Sequence, residues 1–170
     1  MARPIRIAVL GADGRMGRAL TRAVLAAGPR AALTAATERP GQPAVGKDAG
    51  LVAGAEATGI AITEELPGRG VADIWIDFTS ANVTESVATT AASMGVGLVV
   101  GTTGLGTHAR AALGVAATRI PVVYAANYSV GINVMLRLIG TRRARWAPTT
   151  TSRSSRLTTA PSVTRRRERR

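Results

Sequence analysis

Three glycines spaced three residues apart follow a short apolar run near the start of the chain. The run covers residues 5–10 and leads into the segment Gly11-Ala12-Asp13-Gly14-Arg15-Met16-Gly17. A strand, a glycine turn and a helix in this order can cradle a pyrophosphate, because glycines let the backbone approach the phosphates and the helix N-terminus offers free N–H groups. Asp13 stands where the G-x-G-x-x-G fingerprint has its second glycine. The alternative interpretation is a tight turn without a ligand.

A pair of opposite charges, Glu38-Arg39, follows a second apolar run over residues 31–37. An acidic residue about 20 positions beyond such glycines can accept a hydrogen bond from the ribose 2′-hydroxyl of a dinucleotide, and a neighbouring Arg can hold a 2′-phosphate. The two side by side predict a site that accepts both NADH and NADPH. The alternative is a solvent-exposed charge pair in a turn.

Polar residues also follow three later apolar runs, which are residues 71–78, 97–100 and 120–125. The segments at the ends of these runs are Asp77-Phe78-Thr79-Ser80, Gly101-Thr102-Thr103-Gly104 and Ala126-Asn127-Tyr128-Ser129. We expect Thr102 and Thr103 to contact a ligand rather than to cap a helix. Asp77 is either a functional carboxylate or the cap of the turn that follows it.

The elements that must position these residues alternate along the chain. Strands are predicted at the apolar runs named above, with a further short apolar segment at residues 60–62. The predicted helices are one after the glycines with apolar positions at Met16, Leu20, Val24 and Leu25, one over residues 81–94 with Val83 and Val87 inward, one over residues 107–118 capped by Thr107, and a last one that holds Val130, Val134, Met135 and Leu138. This alternation predicts an α/β fold, a Rossmann-like doubly wound parallel sheet with ligands at the carboxyl ends of its strands.

Composition excludes several classes of site. The chain has no cysteine, which excludes a disulfide, a thiolate nucleophile and a Cys-based metal site. The single histidine, His108, is expected on the surface without a catalytic role. Apolar runs are too short to span a membrane, so we expect a soluble, cytoplasmic protein without a membrane partner.

The net charge of +12 is concentrated in one segment. Residues 141–170 hold ten of the 22 basic residues and one acidic residue, so residues 1–140 are nearly balanced. This distribution predicts a dinucleotide-binding domain over residues 1–140 and a basic, disordered tail over residues 141–170. A nucleic-acid binder that uses the Arg-rich tail is the alternative, but Trp146 is the tail's only aromatic residue for base stacking.

Four segments together resemble the bacterial dihydrodipicolinate reductase family, the 4-hydroxy-tetrahydrodipicolinate reductases of lysine biosynthesis. They are the glycine segment 11–17, Ile76-Asp77-Phe78-Thr79, Val100-Gly101-Thr102-Thr103-Gly104 and the run from Ala125 to Val134. The resemblance implies NADPH or NADH held by Gly11, Ala12, Asp13, Gly14, Arg15, Met16 and Glu38, with Arg39 reaching the NADPH phosphate. It places Gly101, Thr102, Thr103, Ala125, Ala126, Asn127 and Tyr128 beside the nicotinamide. It also implies hydride transfer to a cyclic imine-like substrate.

In the family a His/Lys-containing motif in a second domain protonates the substrate, and this motif is absent from the chain as written. We therefore predict no catalytic residue here, an incomplete substrate site and little or no reductase activity. The homotetramer of the family is not expected, because assembly in such families runs through that second domain. The alternative is a nonenzymatic NADP(H)-binding module, which differs from a reductase-like protein only in lacking turnover.

The tail can be explained by a shift of the reading frame. Read one base earlier, Thr codons give Asp, Tyr, His or Asn, and Ser codons of the TC type give Val, Ile, Leu or Phe. From Arg142 to Arg170 one permitted choice spells AARALGADYDVEIVEAHHRPKRDAPTGTA, and every position complies. Thr158-Thr159 then encode His-His and Ser162 encodes Lys. We hypothesise a single-base deletion near Thr141–Arg142.

Overall fold

The computed structural model describes residues 3–135. The elements in chain order are β1 (Ile5–Leu10), α1 (Arg15–Ala26), a 3-10 turn (Gly28–Arg30), β2 (Ala31–Thr37), α2 (Ala49–Val52), β3 (Ile62–Thr63), β4 (Ile74–Asp77), α3 (Ala81–Met94), β5 (Gly97–Val100), α4 (Thr107–Ala116) and β6 (Val122–Tyr124). The chain divides after Tyr128 into two units. In the second unit residues 130–135 are helical. Leu138, the tail 141–170 and the frameshift hypothesis lie outside the described residues.

Six strands form one parallel sheet in the order β3-β2-β1-β4-β5-β6. β1 pairs with β2 on one side and with β4 on the other, so the direction of winding reverses between them. Ligands of such sheets bind outside the carboxyl ends of the strands at this switch point. The topology confirms the prediction of a Rossmann-like doubly wound parallel sheet. Within residues 3–135 each helix is too short or too polar to span a bilayer.

Alternating side chains of the central strands pack into two apolar clusters, one on each face of the sheet. Leu10, Trp75 and Leu98 belong to the cluster that α3 and α4 cover. Val9 belongs to the opposite cluster, where it packs with Val24 of α1. This two-sided burial explains why the strands of the parallel sheet read as continuous apolar runs.

Three of the predicted inward positions on α1 and α3 point outward instead. Met16 and Leu25 of α1 are 48% and 36% exposed, so only Val24 is buried and Leu20 is partly buried. On α3, Val87 is buried as expected, whereas Val83 is 40% exposed. Both exposed side chains near the sheet's carboxyl edge, Met16 and Val83, belong to the first turn of their helices.

Several predicted boundaries differ from the structure. β4 begins at Ile74 rather than at residue 71, because Gly70 adopts φ +79° and the Asp73 carboxylate accepts hydrogen bonds from the backbone N–H and side chain of Arg6. The N-cap of α4 is Gly106, so Thr107 is the first helical residue rather than the cap. The last strand is shorter than the run 120–125, and the sheet pairing of β6 covers residues 122–124.

Candidate functional site

The glycine turn after β1 is packed so closely that no side chain fits at Gly11 or Gly17. Gly11 has φ +81°, and a Cβ there would lie 2.8 Å from the carbonyl oxygen of Phe78. A Cβ on Gly17 would lie 2.0 Å from the carbonyl oxygen of Gly11. The first turn of α1 therefore rests directly on the turn, with Gly14 as its N-cap. This arrangement directs the free N–H groups at the start of α1 toward the carboxyl edge of the sheet, where an anion can bind.

The carboxylate of Glu38 connects the glycine turn to the end of β2. It accepts hydrogen bonds from the backbone N–H of Asp13 at 3.0 Å and from that of Arg39 at 3.0 Å. The side chain of Asp13 forms an ion pair with Arg18 at 2.6 Å. The residue that replaces the fingerprint's second glycine is thus held to α1 by its side chain and to Glu38 by its backbone.

A cleft of about 470 Å³, which we call the strand-end cleft, lies at the carboxyl ends of β1, β2 and β4. Its lining includes these predicted site residues: Gly11, Asp13, Gly14, Glu38 and Arg39. Ala12 is buried beneath the turn, while Arg15 and Met16 are exposed. The sequence did not single out Glu64, Phe78 or Val83 as site residues, although all three line the cleft. Glu64 accepts a hydrogen bond from the backbone N–H of Gly41.

Asp77 is a structural carboxylate at the end of β4. It is fully buried and accepts hydrogen bonds from the backbone N–H of Thr79 at 2.9 Å and from the hydroxyls of Thr79, Thr84 and Thr102. This contact set matches the interpretation of Asp77 as a turn cap. The hydroxyl of Thr102 is buried at Asp77, whereas Thr103 is exposed at the same strand end.

Residues 125–128 lie beside the carboxyl end of β5. The backbone N–H of Ala125 donates to the carbonyl of Val100, and the Tyr128 hydroxyl lies 2.9 Å from the same oxygen and 3.2 Å from that of Val123. Burial raises the pKa of the Tyr128 hydroxyl above its ordinary value. Ala126 and Asn127 are exposed between these two anchors. The predicted residues 101–103 and 125–128 thus follow the adjacent ends of β5 and β6, but none of them lines the strand-end cleft.

His108 is exposed on α4, as expected. Within residues 3–135 no group of three or more His, Cys, Asp or Glu side chains could hold a metal ion.

Comparison with known proteins identifies relatives of this domain. The sequence model of the family described as "Dihydrodipicolinate reductase, N-terminus" matches residues 5–128. A 4-hydroxy-tetrahydrodipicolinate reductase of Alkalilimnicola ehrlichii is 48% identical over 134 residues, which are 78% of this chain and 50% of the relative. One from Acinetobacter baumannii is 46% identical over 135 residues, 79% of this chain and 49% of the relative. The chain spans about half the length of the curated relatives it matches.

Solved structures share the fold at low sequence identity. Dipicolinate-bound dihydrodipicolinate reductase from Paenisporosarcina sp. TG-14 superposes with a TM-score of 0.58 at 16% identity, covering 83% of this chain and 54% of that one. The WlbA dehydrogenase from Bordetella pertussis, in complex with NADH and UDP-GlcNAcA, gives 0.56 at 23% identity, covering 86% and 41%. These likenesses agree with the Rossmann-like topology.

Proposed function

This chain belongs to the dihydrodipicolinate reductase family, and we propose that residues 1–140 are its dinucleotide-binding domain and hold NADPH or NADH in the strand-end cleft. The observation that carries the proposal is the glycine turn. At Gly11 and Gly17 backbone atoms occupy the space that a Cβ would need, so both positions require glycine. Because glycine has no side chain, a pyrophosphate can approach the start of α1. The residues present therefore fit a dinucleotide.

Glu38 and Arg39 supply the recognition of the adenosine half. The Glu38 carboxylate is already oriented by two backbone N–H groups and keeps acceptor capacity for the ribose hydroxyls. Arg39 is exposed beside it, where its guanidinium can pair with the 2′-phosphate of NADPH. The nicotinamide half then extends toward Gly101, Thr102 and Thr103 and toward residues 125–128.

The full reaction of the family is the NAD(P)H-dependent reduction of 4-hydroxy-tetrahydrodipicolinate in the diaminopimelate route of lysine biosynthesis. The bound cofactor supplies the hydride. This chain orients the cofactor and lacks the family's His/Lys motif, so we propose that it binds NAD(P)H in the cytoplasm without turning over substrate. Neither a membrane nor nucleic acid is proposed as a partner, and the homotetramer of the family is not part of the proposal.

The tail over residues 141–170 is proposed to be an out-of-frame translation of the family's second domain. Every position of residues 142–170 is compatible with one in-frame reading that restores His-His and Lys. The test is to resequence the coding DNA across residues 139–145 from fresh genomic template. A recovered base means a full-length reductase, and an unchanged sequence means a chain that carries the deletion. The proposal is contradicted if the DNA that codes for residues 142–170, read in the shifted frame, does not encode His-His and Lys.

Cofactor binding is tested by isothermal titration calorimetry of the full chain with NADH and with NADPH. Arg39→Ala should weaken NADPH about tenfold or more, the value of a hydrogen bond between charged groups, and leave NADH unchanged. Glu38→Gln should weaken both nucleotides, because an amide nitrogen cannot accept a hydrogen bond from one of the two N–H groups. The matched control is Arg119→Ala, an exposed arginine just beyond α4.

Three results would contradict the proposal. The first is that neither nucleotide saturates the wild-type chain. The second is that Arg39→Ala weakens the binding of both nucleotides equally, and the third is that the full chain reduces the substrate at a normal rate. The first removes the cofactor site, the second removes the assignment of Arg39, and the third removes the claim that the proton donor is missing.

A further inference from the structure

Arg39 begins a tight turn that leaves the end of β2. Pro40 and Gly41 are the central residues of this turn, and Gly41 adopts φ +76°. A proline followed by a glycine with positive φ is typical of a type II turn. The proline also restricts the residue before it to extended conformations. The direction in which Arg39 leaves β2 is therefore coupled to the position of Gly41.

Two carboxylates hold this turn through its backbone. Glu38 accepts a hydrogen bond from the backbone N–H of Arg39 at 3.0 Å, and Glu64 accepts one from the backbone N–H of Gly41 at 3.0 Å. Glu64 lies 23 positions beyond Gly41 in the chain, so this contact comes from outside the turn. The backbone is thus fixed by a carboxylate at Arg39 and again two residues later.

The sheet places Glu64 for this contact. Glu64 directly follows β3, whose last residue, Thr63, pairs with Thr37 of β2. The carbonyl of Thr63 also accepts a hydrogen bond from the backbone N–H of Glu38 at 2.9 Å. The carboxylate of Glu64 therefore projects from a strand end that is hydrogen-bonded to the strand from which the turn leaves.

The guanidinium of Arg39 is left for a ligand. Glu38, Arg39 and Glu64 all line the strand-end cleft, yet the ion pairs among residues 3–135 involve other arginines. Glu64 thus contacts the backbone of the turn and does not compete with a phosphate for the guanidinium. Resting on the cofactor site proposed above, we propose that Glu64 determines specificity for NADPH by holding Gly41 and so aligning Arg39 with the 2′-phosphate. Glu64 is a positioning residue, because it acts through the turn.

The experiment titrates NADPH and NADH calorimetrically into the wild-type full chain and into its Glu64→Ala variant. The substitution removes the acceptor of the Gly41 N–H, and we expect NADPH affinity to fall about two- to tenfold, the net contribution of one hydrogen bond. NADH affinity should change little, because NADH lacks the 2′-phosphate and the Glu38 carboxylate keeps its contact with Asp13.

Glu64→Gln separates the hydrogen bond from the charge. Glu64 accepts a single backbone hydrogen bond here, so the amide oxygen of glutamine can replace the carboxylate oxygen. We expect NADPH affinity close to that of the wild-type chain. If the negative charge were the property that matters, removing it would strengthen the binding of a phosphate in both variants.

A double variant tests whether Glu64 acts through Arg39. In a chain that carries Arg39→Ala there is no guanidinium to align, so Glu64→Ala should weaken NADPH binding no further, which is non-additivity between coupled residues. The matched control is Glu65→Ala. This neighbouring glutamate is also exposed and carries the same charge, but it does not line the strand-end cleft, so its loss should leave both affinities unchanged.

The outcomes separate the inference from the proposed function. The inference is overturned, while the cofactor site stands, if Glu64→Ala leaves NADPH affinity unchanged, lowers both affinities equally or has the same effect as Glu65→Ala. Failure of Glu64→Gln to restore NADPH binding, stronger NADPH binding in both Glu64 variants, additive effects with Arg39→Ala, or an Arg39→Ala chain that still prefers NADPH would also overturn it. If the wild-type chain binds neither nucleotide, the proposed function fails and the inference fails with it.

Discussion

Replacing Gly17 with alanine tests the close packing on which the cofactor site depends. The new Cβ would lie 2.0 Å from the carbonyl oxygen of Gly11, 2.7 Å from Cα of Ala12 and 2.8 Å from the carbonyl carbon of Gly11. All three are backbone atoms, so no side-chain rotation relieves the overlap. Since real Cβ contacts essentially never fall below 3.0 Å, α1 and the turn must separate by about 1 Å at this point.

Separation on this scale affects both stability and binding. Forced overpacking in a well-packed region costs about 1–3 kcal/mol, so we expect the free energy of unfolding to fall by about 2 kcal/mol. Hydrogen bonds from N–H donors occupy a window of about 0.5 Å in length, so a displacement of about 1 Å misplaces the donors at the start of α1. NADH affinity should fall by about tenfold or more, which equals about 1.4 kcal/mol.

Urea denaturation and calorimetric titration with NADH measure the two effects separately. The stability control is Gly14→Ala, because a Cβ there lies 3.3 Å from the same Gly11 oxygen and needs a shift of only a few tenths of an ångström. A Gly17→Ala chain that unfolds at the wild-type urea concentration would refute the reasoning. So would a Gly14→Ala chain that loses as much stability as Gly17→Ala.

Two further predictions concern carboxylates that support the sheet. Asp77→Ala should lower the free energy of unfolding by about 2–4 kcal/mol, because it leaves buried hydroxyls and a backbone N–H without their acceptor. Asp77→Asn keeps one acceptor oxygen and should lower the free energy of unfolding by less. Equal effects of the two substitutions in thermal denaturation would contradict this account. Hydrogen bonds from the Arg6 side chain and backbone, then from Arg3, hold the pKa of Asp73 well below its usual range despite desolvation. The ionised carboxylate therefore contributes stability above its ordinary pKa of about 3.9 that is lost as the pH falls below it. Acid titrations of unfolding should show a weaker decline below about pH 4 in Asp73→Asn than in the wild-type chain, and identical slopes would contradict the assignment.

Much of the secondary structure could be predicted from the pattern of apolar residues. Three strands and one helix have the predicted bounds: Ile5–Leu10, Ala31–Thr37, Gly97–Val100 and Ala81–Met94. Each of these strands is followed by glycine or a charged residue, and strands of a parallel sheet are buried on both faces, so an apolar run and its polar end mark a strand well. The parallel orientation of the strands follows from their alternation with helices, whereas the alternation does not determine the order of the strands in the sheet.

The start of β4 could not be predicted in this way. The apolar run begins at Val71, but the strand begins at Ile74. The residue before it, Asp73, accepts a hydrogen bond from Arg6, which lies 67 positions earlier in the chain. Hydropathy within a segment carries no information about such a distant partner. The same limit applies to Val83, whose apolar side chain lines the cleft instead of the core.

The roles of Asp77 and Thr102 show the same limit within the candidate site. In the sequence each is a candidate for ligand contact, because Asp77 lies at the end of one apolar run and Thr102 follows another. The structure brings them within 3.2 Å of each other across 25 positions, and their polar atoms satisfy one another in the interior. A polar residue at a strand end can therefore serve the sheet edge itself, and only its partner in space distinguishes this use from ligand binding.

Glycine is required at three positions of this site for three different physical reasons, although the sequence shows only the residue type. Gly11 is required by its positive φ and by the carbonyl of Phe78, and Gly17 by the backbone of the turn on which α1 rests. Gly101 is required by neither conformation nor backbone but by an aromatic ring that comes from the neighbouring strand. A glycine of the third kind depends on its partner side chain, so a chain with a smaller residue at position 78 would tolerate alanine at position 101. We therefore expect positions 78 and 101 to tolerate substitution only together. A substitution at only one of them should displace the side chain of residue 78, which lines the strand-end cleft.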